Sequence, residues 1–510
     1  MNRARQVVLV IMDGWGIGKR WGGNAVYNSA PPFYRELWRT SPWTTLGASG
    51  TDVGLLPLTA GNSEAGHVNI GAGRIVGQDL AWITKQIESG QFARNPVLNE
   101  MFAGAKNAQK PLHIVGLLSD GGTHAQIDHL YALCEIAARY QPMTIYFHIF
   151  GDGRDTEPHR ILILLDRLQK RIAKYKAGEV ASIIGRYYAM DRDRNFDRTR
   201  KAYDLLTSGR GEVLENWAQG INNAYWRGIT DEFLPPMLLG QNASQSRIRN
   251  GDFVIITNFR ADRIWQLESS LVEKDFTGFA REPLRLGRMV SLVPIETAPN
   301  LESAMQMPSV NETMGEIISR QGWGQLRVAE SEKGAHATYF LNGGRKQPYS
   351  GQVDQIIPSP KKNYADVPEM SAYSLLPMVE KAIGGNQKFI FLNLANPDMV
   401  GHTGNIEAGK KAVRIVDDII SKISQRAAAT GTSVIITADH GNIDEMIIPY
   451  SGERSTNHSS NQVPFFLVGA GSGAQVRLRR GGRLCDIAPT ILHLMGLQKP
   501  PVMTGRSLIV

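Results

Sequence analysis

The sequence predicts an α/β protein built on two doubly wound, mostly parallel sheets. Three observations carry that prediction. Short β-rich apolar runs recur from end to end, helical patterns separate them, and 42% hydrophobic against 20% charged residues supply material for large cores. At roughly 150 residues per domain, 510 residues correspond to two to four domains.

The first run, Val7–Met12, follows basic residues and imitates a secretory leader. It is only six residues long, Asp13 closes it and no small-residue cleavage site follows, so it reads as a buried strand. Leu112–Leu118, Thr144–Phe150, Val180–Ile184, Phe253–Thr257, Phe389–Leu394, Ser433–Thr437 and Pro464–Val468 are likewise apolar on both faces, as strands covered by helices are. His129–Tyr140, Arg160–Tyr175, Ala408–Arg426 and Ile487–Met495 read as helices between them. No fixed-period repeat or low-complexity tract occurs, and the surroundings of Gly71–Gly77 and the stretch Met305–Val310 are candidate linkers. The 52 glycines exceed the usual ~7% share and imply many tight turns. Two cysteines, Cys134 and Cys485, form no disulfide framework and fit a reducing, cytoplasmic compartment. No run approaches the ~20 apolar residues that span a bilayer. A formal charge of +8 leaves nucleic acid, an acidic membrane surface and a small anion open as partners.

Several strands release Asp or His just past their carboxyl ends, where open α/β sheets place their sites. Asp13 follows VVLVIM; Asp439 and His440 follow SVIIT in T-A-D-H-G-N; Asp398 and His402 follow FIFLNL in N-P-D-M-V-G-H-T-G; His458 lies in T-N-H-S-S-N. Carboxylate with imidazole suits Mn²⁺, Zn²⁺, Fe²⁺ or Co²⁺. Three Asp and three His exceed the needs of one ion, so two ions fit better. Singly, each of these residues reads as well as a helix cap or an ordinary loop residue.

G-N-S-E-A-G-H places Ser63 between glycines before a predicted helix, with the spacing G-x-S-x-x-G rather than the hydrolase elbow. It reads equally as an N-cap serine or as a nucleophile at a helix N-terminus, where backbone N–H groups receive phosphate. The middle third carries arginines after strand ends: Arg154 with Asp155 in G-D-G-R-D-T, Arg186 and Arg192 in G-R-Y-Y-A-M-D-R-D, and Arg260 and Arg263 in N-F-R-A-D-R. Such guanidinium forks bind carboxylate and phosphate; the alternative is surface pairing with Asp155, Asp191, Asp193 and Asp262. Nucleic-acid binding instead calls for exposed aromatics among helical cations, and the aromatics here lie mostly in apolar runs. His124 in S-D-G-G-T-H, and Lys333 and His336 in E-S-E-K-G-A-H, carry weaker signals.

Taken together, M-D-G-W-G, G-N-S-E-A-G-H, S-D-G-G-T-H, D-G-R-D-T, G-R-Y-Y-A-M-D-R-D, N-F-R-A-D-R, A-N-P-D-M-V-G-H-T-G and T-A-D-H-G-N, in this order, closely resemble the cofactor-independent (2,3-bisphosphoglycerate-independent) phosphoglycerate mutases of the alkaline phosphatase superfamily. P-E-M-S-A-Y at Pro368–Tyr373 and D-I-A-P-T-I at Asp486–Ile491 extend the match. The resemblance implies an alkaline-phosphatase-like, metal-binding domain from residues 1–77 and 309–510, with a second α/β, substrate-binding phosphotransferase domain, residues 78–308, inserted into it. It implies interconversion of 3-phosphoglycerate and 2-phosphoglycerate through a phosphoserine at Ser63. One metal would be held by Asp13, Ser63, Asp439 and His440, and the other by Asp398, His402 and His458. Two Mn²⁺ ions are the expectation, with Co²⁺ or Mg²⁺ as alternatives. His124, Arg154, Asp155, Arg186, Arg192, Arg260 and Arg263 would hold the glycerate, Asp155 would move the proton, and Lys333 would neutralise the phosphoryl group. A cytoplasmic monomer with a small-molecule substrate, and neither nucleic acid nor membrane as partner, completes the expectation. Four positions depart from the family pattern: Ala65 for valine, Gly334 for tyrosine, Gln126 for histidine and Thr123 for valine.

Overall fold

The computed structural model describes residues 6–141, 143–240, 245–294, 301–306, 309–448, 450–469 and 476–510. The chain divides into two compact units, one from Met1–Gln78 with Ser309–Val510, the other from Asp79–Pro308. Part of the candidate linker Met305–Val310, residues 307 and 308, lies outside the described residues.

The first unit is built on an eight-stranded sheet in the order Gln352–Ile357, Gly324–Glu330, Gln387–Leu394, Val7–Met12, Ser433–Thr437, Val463–Gly469, Trp43–Gly47, Gly482–Arg483. The first five strands are parallel. Val7–Met12 is buried at every position because it lies between Gln387–Leu394 and Ser433–Thr437, with helices covering the sheet. The helix Ile406–Thr430 shows how the covering elements are specified. Ala412, Val413, Val416, Ile419, Ile420, Ile423 and Ala427 recur at three- and four-residue spacing and bury one stripe. Asn405 starts the helix by accepting from Ala408 N, and Gly431, at φ +66°, ends it in the left-handed region. Each fully buried aliphatic side chain on that stripe contributes about 1.5–3 kcal/mol.

The second unit holds another eight-stranded sheet: Glu302–Ser303, Arg288–Ser291, Phe253–Ile256, Leu112–Leu118, Ile145–Gly151, Glu179–Gly185, Met237–Leu239, Glu212–Leu214. All neighbours are parallel except Glu179–Gly185 with Met237–Leu239. Both units are thus α/β with parallel-dominated sheets, as the sequence predicts.

Differences are local. Val463–Gly469, read from sequence as another parallel strand, runs antiparallel to Ser433–Thr437 and to Trp43–Gly47. The expected helix His129–Tyr140 spans Ile127–Ala137, started where Ile127 N donates to Ser119 O, and residues 138–140 form a 3₁₀ turn. Gly324–Glu330 escapes sequence reading because Gln325, Arg327 and Glu330, all buried, interrupt its apolar run. Among the described residues no helix is long and apolar enough to cross a membrane.

Candidate active site

In the first unit the carboxyl ends of four parallel strands deliver Lys333, Asp398, Asp13 and Asp439 to one place. Gly14, at φ +75°, turns the chain away, and a Cβ there would lie 2.8 Å from Asp398 Cα. Ser63 opens the helix Ser63–Ala72, but its side chain is not the cap. Asn62 takes that role, accepting from Ala65 N at 2.8 Å. Ser63 Oγ instead lies 2.9 Å from His440 Nε2, 3.2 Å from Asp13 Oδ1 and 2.7 Å from Lys333 Nζ. Gly66 lets the helix approach so closely, since a Cβ at that position would fall 2.7 Å from Asp439 O. Ala65 is buried on the same turn.

The electrostatics are severe. Three buried carboxylates, Asp13, Asp398 and Asp439, face one buried ammonium, and Lys333 Nζ lies 2.7 Å from Asp13 Oδ1 and 2.6 Å from Asp398 Oδ2. Burial alone would raise the Asp13 and Asp398 carboxyls, yet the Lys333 ammonium and imidazole hydrogen bonds outweigh it and hold both well below the usual carboxylate range. Burial pulls Lys333 down, but Asp13, Asp398 and Asp439 push it above its ordinary value. His440 is likewise drawn down by burial and carried up to about 9 by Asp439 and Asp13.

The donor set fits divalent cations. His402 Nδ1 faces Thr456 O at 2.8 Å and His458 Nδ1 faces Gly61 O at 2.7 Å, so both Nδ1 atoms carry protons and the Nε2 atoms are the ones that, in the neutral rings, offer lone pairs to a metal. Those Nε2 atoms face each other at 3.1 Å and Asp398 Oδ1 at 3.3 and 3.2 Å. With neutral rings three acceptors converge there, an arrangement that a cation would stabilise. A second group, Asp13, Asp398 and His440, is fully buried, so Asp398 faces both groups. A third grouping, Asp13, His67 and Asp439, is closed to an ion because His67 Nδ1 faces Ser63 O at 2.8 Å and carries the proton.

Sequence reading missed three contributors. His67 closes G-N-S-E-A-G-H one turn beyond Ser63, and Asn442 closes T-A-D-H-G-N, so both were legible as motif ends. Asn442 Nδ2 donates to Asp398 Oδ1 at 2.7 Å. Asn393 Nδ2 donates to Asp13 Oδ2 at 2.7 Å, and nothing in the run FIFLNL marks it.

The second unit gathers the other predicted residues. Arg186 Nη1 donates to Asp152 Oδ1 at 2.7 Å and to Asp155 Oδ2 at 2.5 Å. Arg192 Nη1 and Arg260 Nε reach the two oxygens of Asp262 at 2.8 and 3.3 Å, and His124 Nδ1 lies 3.7 Å from Asp262 Oδ1. Arg154, half exposed, lies 3.5 Å from Glu232. Pairing with Asp155 and Asp262 therefore occurs, but it does not neutralise the cluster. Burial and then Arg192, Arg154 and Arg186 lower Arg263, and burial with Arg186 takes His124 down to about 4. Mutual repulsion of this kind marks a place for an anion. Gln126 stands apart from these contacts at the N-cap of Ile127–Ala137, where its amide donates to Asp128 Oδ2 at 3.3 Å.

Comparison with known proteins agrees across the whole chain. Residues 83–296 match the family model described as BPG-independent PGAM N-terminus, and residues 320–447 match type I phosphodiesterase / nucleotide pyrophosphatase. A 2,3-bisphosphoglycerate-independent phosphoglycerate mutase of Clostridioides difficile (strain 630) is 45% identical over 509 residues, covering 99% of each chain. One from Pseudomonas putida (strain GB-1) is 42% identical over 511 residues with the same coverage. A solved structure of Leishmania mexicana phosphoglycerate mutase at low cobalt concentration superposes with a TM-score of 0.74 and 27% identity, covering 99% of this chain and 98% of that one.

Proposed function

The chain belongs to the 2,3-bisphosphoglycerate-independent phosphoglycerate mutases and interconverts 3-phosphoglycerate and 2-phosphoglycerate, and from that premise we propose that Ser63 carries the phosphoryl group between the two hydroxyls. The observation that carries the reading is the meeting of Asp13, His440 and Lys333 on Ser63 Oγ at the start of a helix capped by another residue.

The protein uses divalent metal ions. We assign one to Asp13, Ser63, Asp439 and His440 and the other to Asp398, His402 and His458, with Mn²⁺ as the resident ion and Co²⁺ or Mg²⁺ as substitutes. When bound, such ions supply positive charge that lowers the serine hydroxyl pKa and screens the phosphoryl oxygens. The chain's own residues do the rest. The N-terminus of Ser63–Ala72 directs backbone N–H groups and a positive dipole at the same oxygens. Ser63 Oγ attacks phosphorus in line, the bond to the glycerate oxygen breaks, and that oxygen takes up a proton. Lys333 Nζ, 2.7 Å from Ser63 Oγ, neutralises charge as it develops.

Meanwhile the glycerate carboxylate is held by the cluster of Arg154, Arg186, Arg192, Arg260 and Arg263 with His124. Asp155, fixed by Arg186, gives a proton to the glycerate oxygen that the phosphoryl group leaves and takes one from the other hydroxyl, whose oxygen then receives the phosphoryl group back from Ser63. His124 sits at about 4, so it is a neutral hydrogen-bonding partner at neutral pH. We further infer a cytoplasmic monomer, since each set of site residues is complete within one copy of the chain.

The test is Ser63→Ala with ³²P-labelled 3-phosphoglycerate and an acid quench. The parent enzyme should yield a labelled protein whose phosphate maps to Ser63, and the variant should yield neither label nor 2-phosphoglycerate. Isomerisation that survives the substitution refutes the serine route.

A further inference from the structure

We propose that Asn393 and His67 form a positioning pair that decides which oxygen of Asp13 faces Ser63, an inference that rests on the roles given above to Asp13 and Ser63. All four residues are buried, and Asn393, His67 and Asp13 are completely so. Asn393 Nδ2 lies 2.7 Å from Asp13 Oδ2 and 3.1 Å from His67 Nε2. His67 Nδ1 lies 2.8 Å from Ser63 O and 3.2 Å from Asp439 Oδ2.

The proton positions follow from the carboxylate outward. Asp13 Oδ1 faces the Lys333 ammonium at 2.7 Å and its Oδ2 accepts from Asn393 Nδ2, so the asparagine presents its NH₂ and not its carbonyl oxygen. The second hydrogen of that NH₂ then points at His67 Nε2, which must be an acceptor. The ring proton therefore sits on Nδ1, where two acceptors, Ser63 O and Asp439 Oδ2, already face it. Each hydrogen bond along Ser63 C=O, His67, Asn393 and Asp13 then has one consistent direction, and Asn393 Oδ1 is left without a partner among the described residues. The opposite amide orientation would set Asn393 Oδ1 against Asp13 Oδ2 with no proton between them.

The consequence is geometric. With Oδ2 of Asp13 tied to Asn393, Oδ1 is the oxygen left to face Ser63 Oγ at 3.2 Å and Lys333 Nζ at 2.7 Å. His67 sits one helical turn beyond Ser63, so the same chain of bonds ties the nucleophile's own carbonyl to the carboxylate beside its hydroxyl. An aspartate at 393 would have the right shape and the wrong chemistry, because it has no proton for either neighbour and adds a fourth carboxylate to a site that holds three.

Two measurements test this. In the metal-free parent protein, ¹⁵N chemical shifts of the His67 ring, identified by their loss in His67→Gln, should place the ring proton on Nδ1, with Nε2 as the acceptor. A ring that carries its proton on Nε2 overturns the proposal without bearing on the phosphoserine. In Asn393→Ala, titration with Mn²⁺ alone should show affinity 10–100-fold weaker, with kcat reduced and KM for 3-phosphoglycerate changed less than threefold. Asn393→Ser, which keeps one donor, should recover part of the loss. Unchanged Mn²⁺ affinity in a variant that melts at a lower temperature without metal shows a merely structural residue and also overturns it. Should Asn393→Ala not fold, the tautomer in the parent protein decides. Failure of the Ser63 phosphate to appear would instead overturn the function proposed above and leave the tautomer as found.

Discussion

Replacing Glu268 by glutamine should change how the stability of the second unit depends on pH. Glu268 lies on the helix Trp265–Val272, is fully buried, and neither carboxyl oxygen has a hydrogen-bond partner among the described residues. Burial pushes its carboxyl from the ordinary 4.5 up to about 8. Between those values the folded chain keeps a proton that the unfolded chain has released. The contribution to stability is thus full below pH 4.5 and is lost as pH rises through 8. At 1.36 kcal/mol per pH unit the loss over that window is about 5 kcal/mol. Glutamine has nearly the same shape and cannot ionise, so the variant should match the parent at pH 4.5 and exceed it at pH 8.5. At 2–4 °C per kcal/mol for a unit of this size, the difference in melting temperature should be about 10–20 °C. Thermal unfolding of both proteins in chelator, at half-unit pH steps from 4.5 to 9, measures it. Parallel curves would refute the reasoning, since they would mean that Glu268 titrates as an exposed carboxyl.

Other outcomes follow from the same contacts. Arg263→Gln should raise KM for 3-phosphoglycerate about 10–100-fold, the worth of a charged hydrogen bond, with a smaller change in kcat; an unchanged KM places Arg263 outside the carboxylate cluster. Dialysis against chelator should abolish mutase activity and lower the melting temperature, and Mn²⁺ at a hundred times its Kd should restore about 2.7 kcal/mol; melting indifferent to metal contradicts the ligand assignment. Gly334 has helical φ and ψ of −58° and −48°, so its glycine is not demanded by the backbone. Gly334→Ala should stabilise by about 0.5 kcal/mol through chain entropy, provided the partly exposed Ile356 yields, because the new Cβ would meet its Cγ2 at 3.0 Å. A lower melting temperature would show that Ile356 cannot move.

The strand ends and their glycine-flanked motifs were legible because parallel strands must be apolar throughout and their sites must lie just beyond them. Asp13, Asp398, Asp439 and His440 announce themselves by ending apolar runs. Asn393, Glu268 and Arg327 do not. Each is a polar residue whose meaning comes from what the fold packs against it: Asn393 from Asp13, 380 residues away, Glu268 from having no hydrogen-bond partner among the described residues, Arg327 from Phe389, whose ring lies 4.8 Å from its guanidinium. The antiparallel direction of Val463–Gly469 was also hidden, since a strand buried on both faces reads alike in either direction. Ser63 was ambiguous for a sharper reason: serine beside a helix start is both a good cap and a good nucleophile, and only the bond from Ala65 N to Asn62 separates the two.

The place of Val7–Met12 between Gln387–Leu394 and Ser433–Thr437 has a consequence for biosynthesis. At 5–20 residues per second, roughly 20–85 s pass between the emergence of VVLVIM from the ribosome and that of its second partner strand. During that interval the inserted unit can complete itself, while a β-prone hexapeptide without a charge waits for neighbours not yet made. Nascent chains stalled before residue 387 should accordingly carry one folded body and one chaperone-dependent N-terminal segment, and Ser63 can acquire its surroundings only near the end of translation.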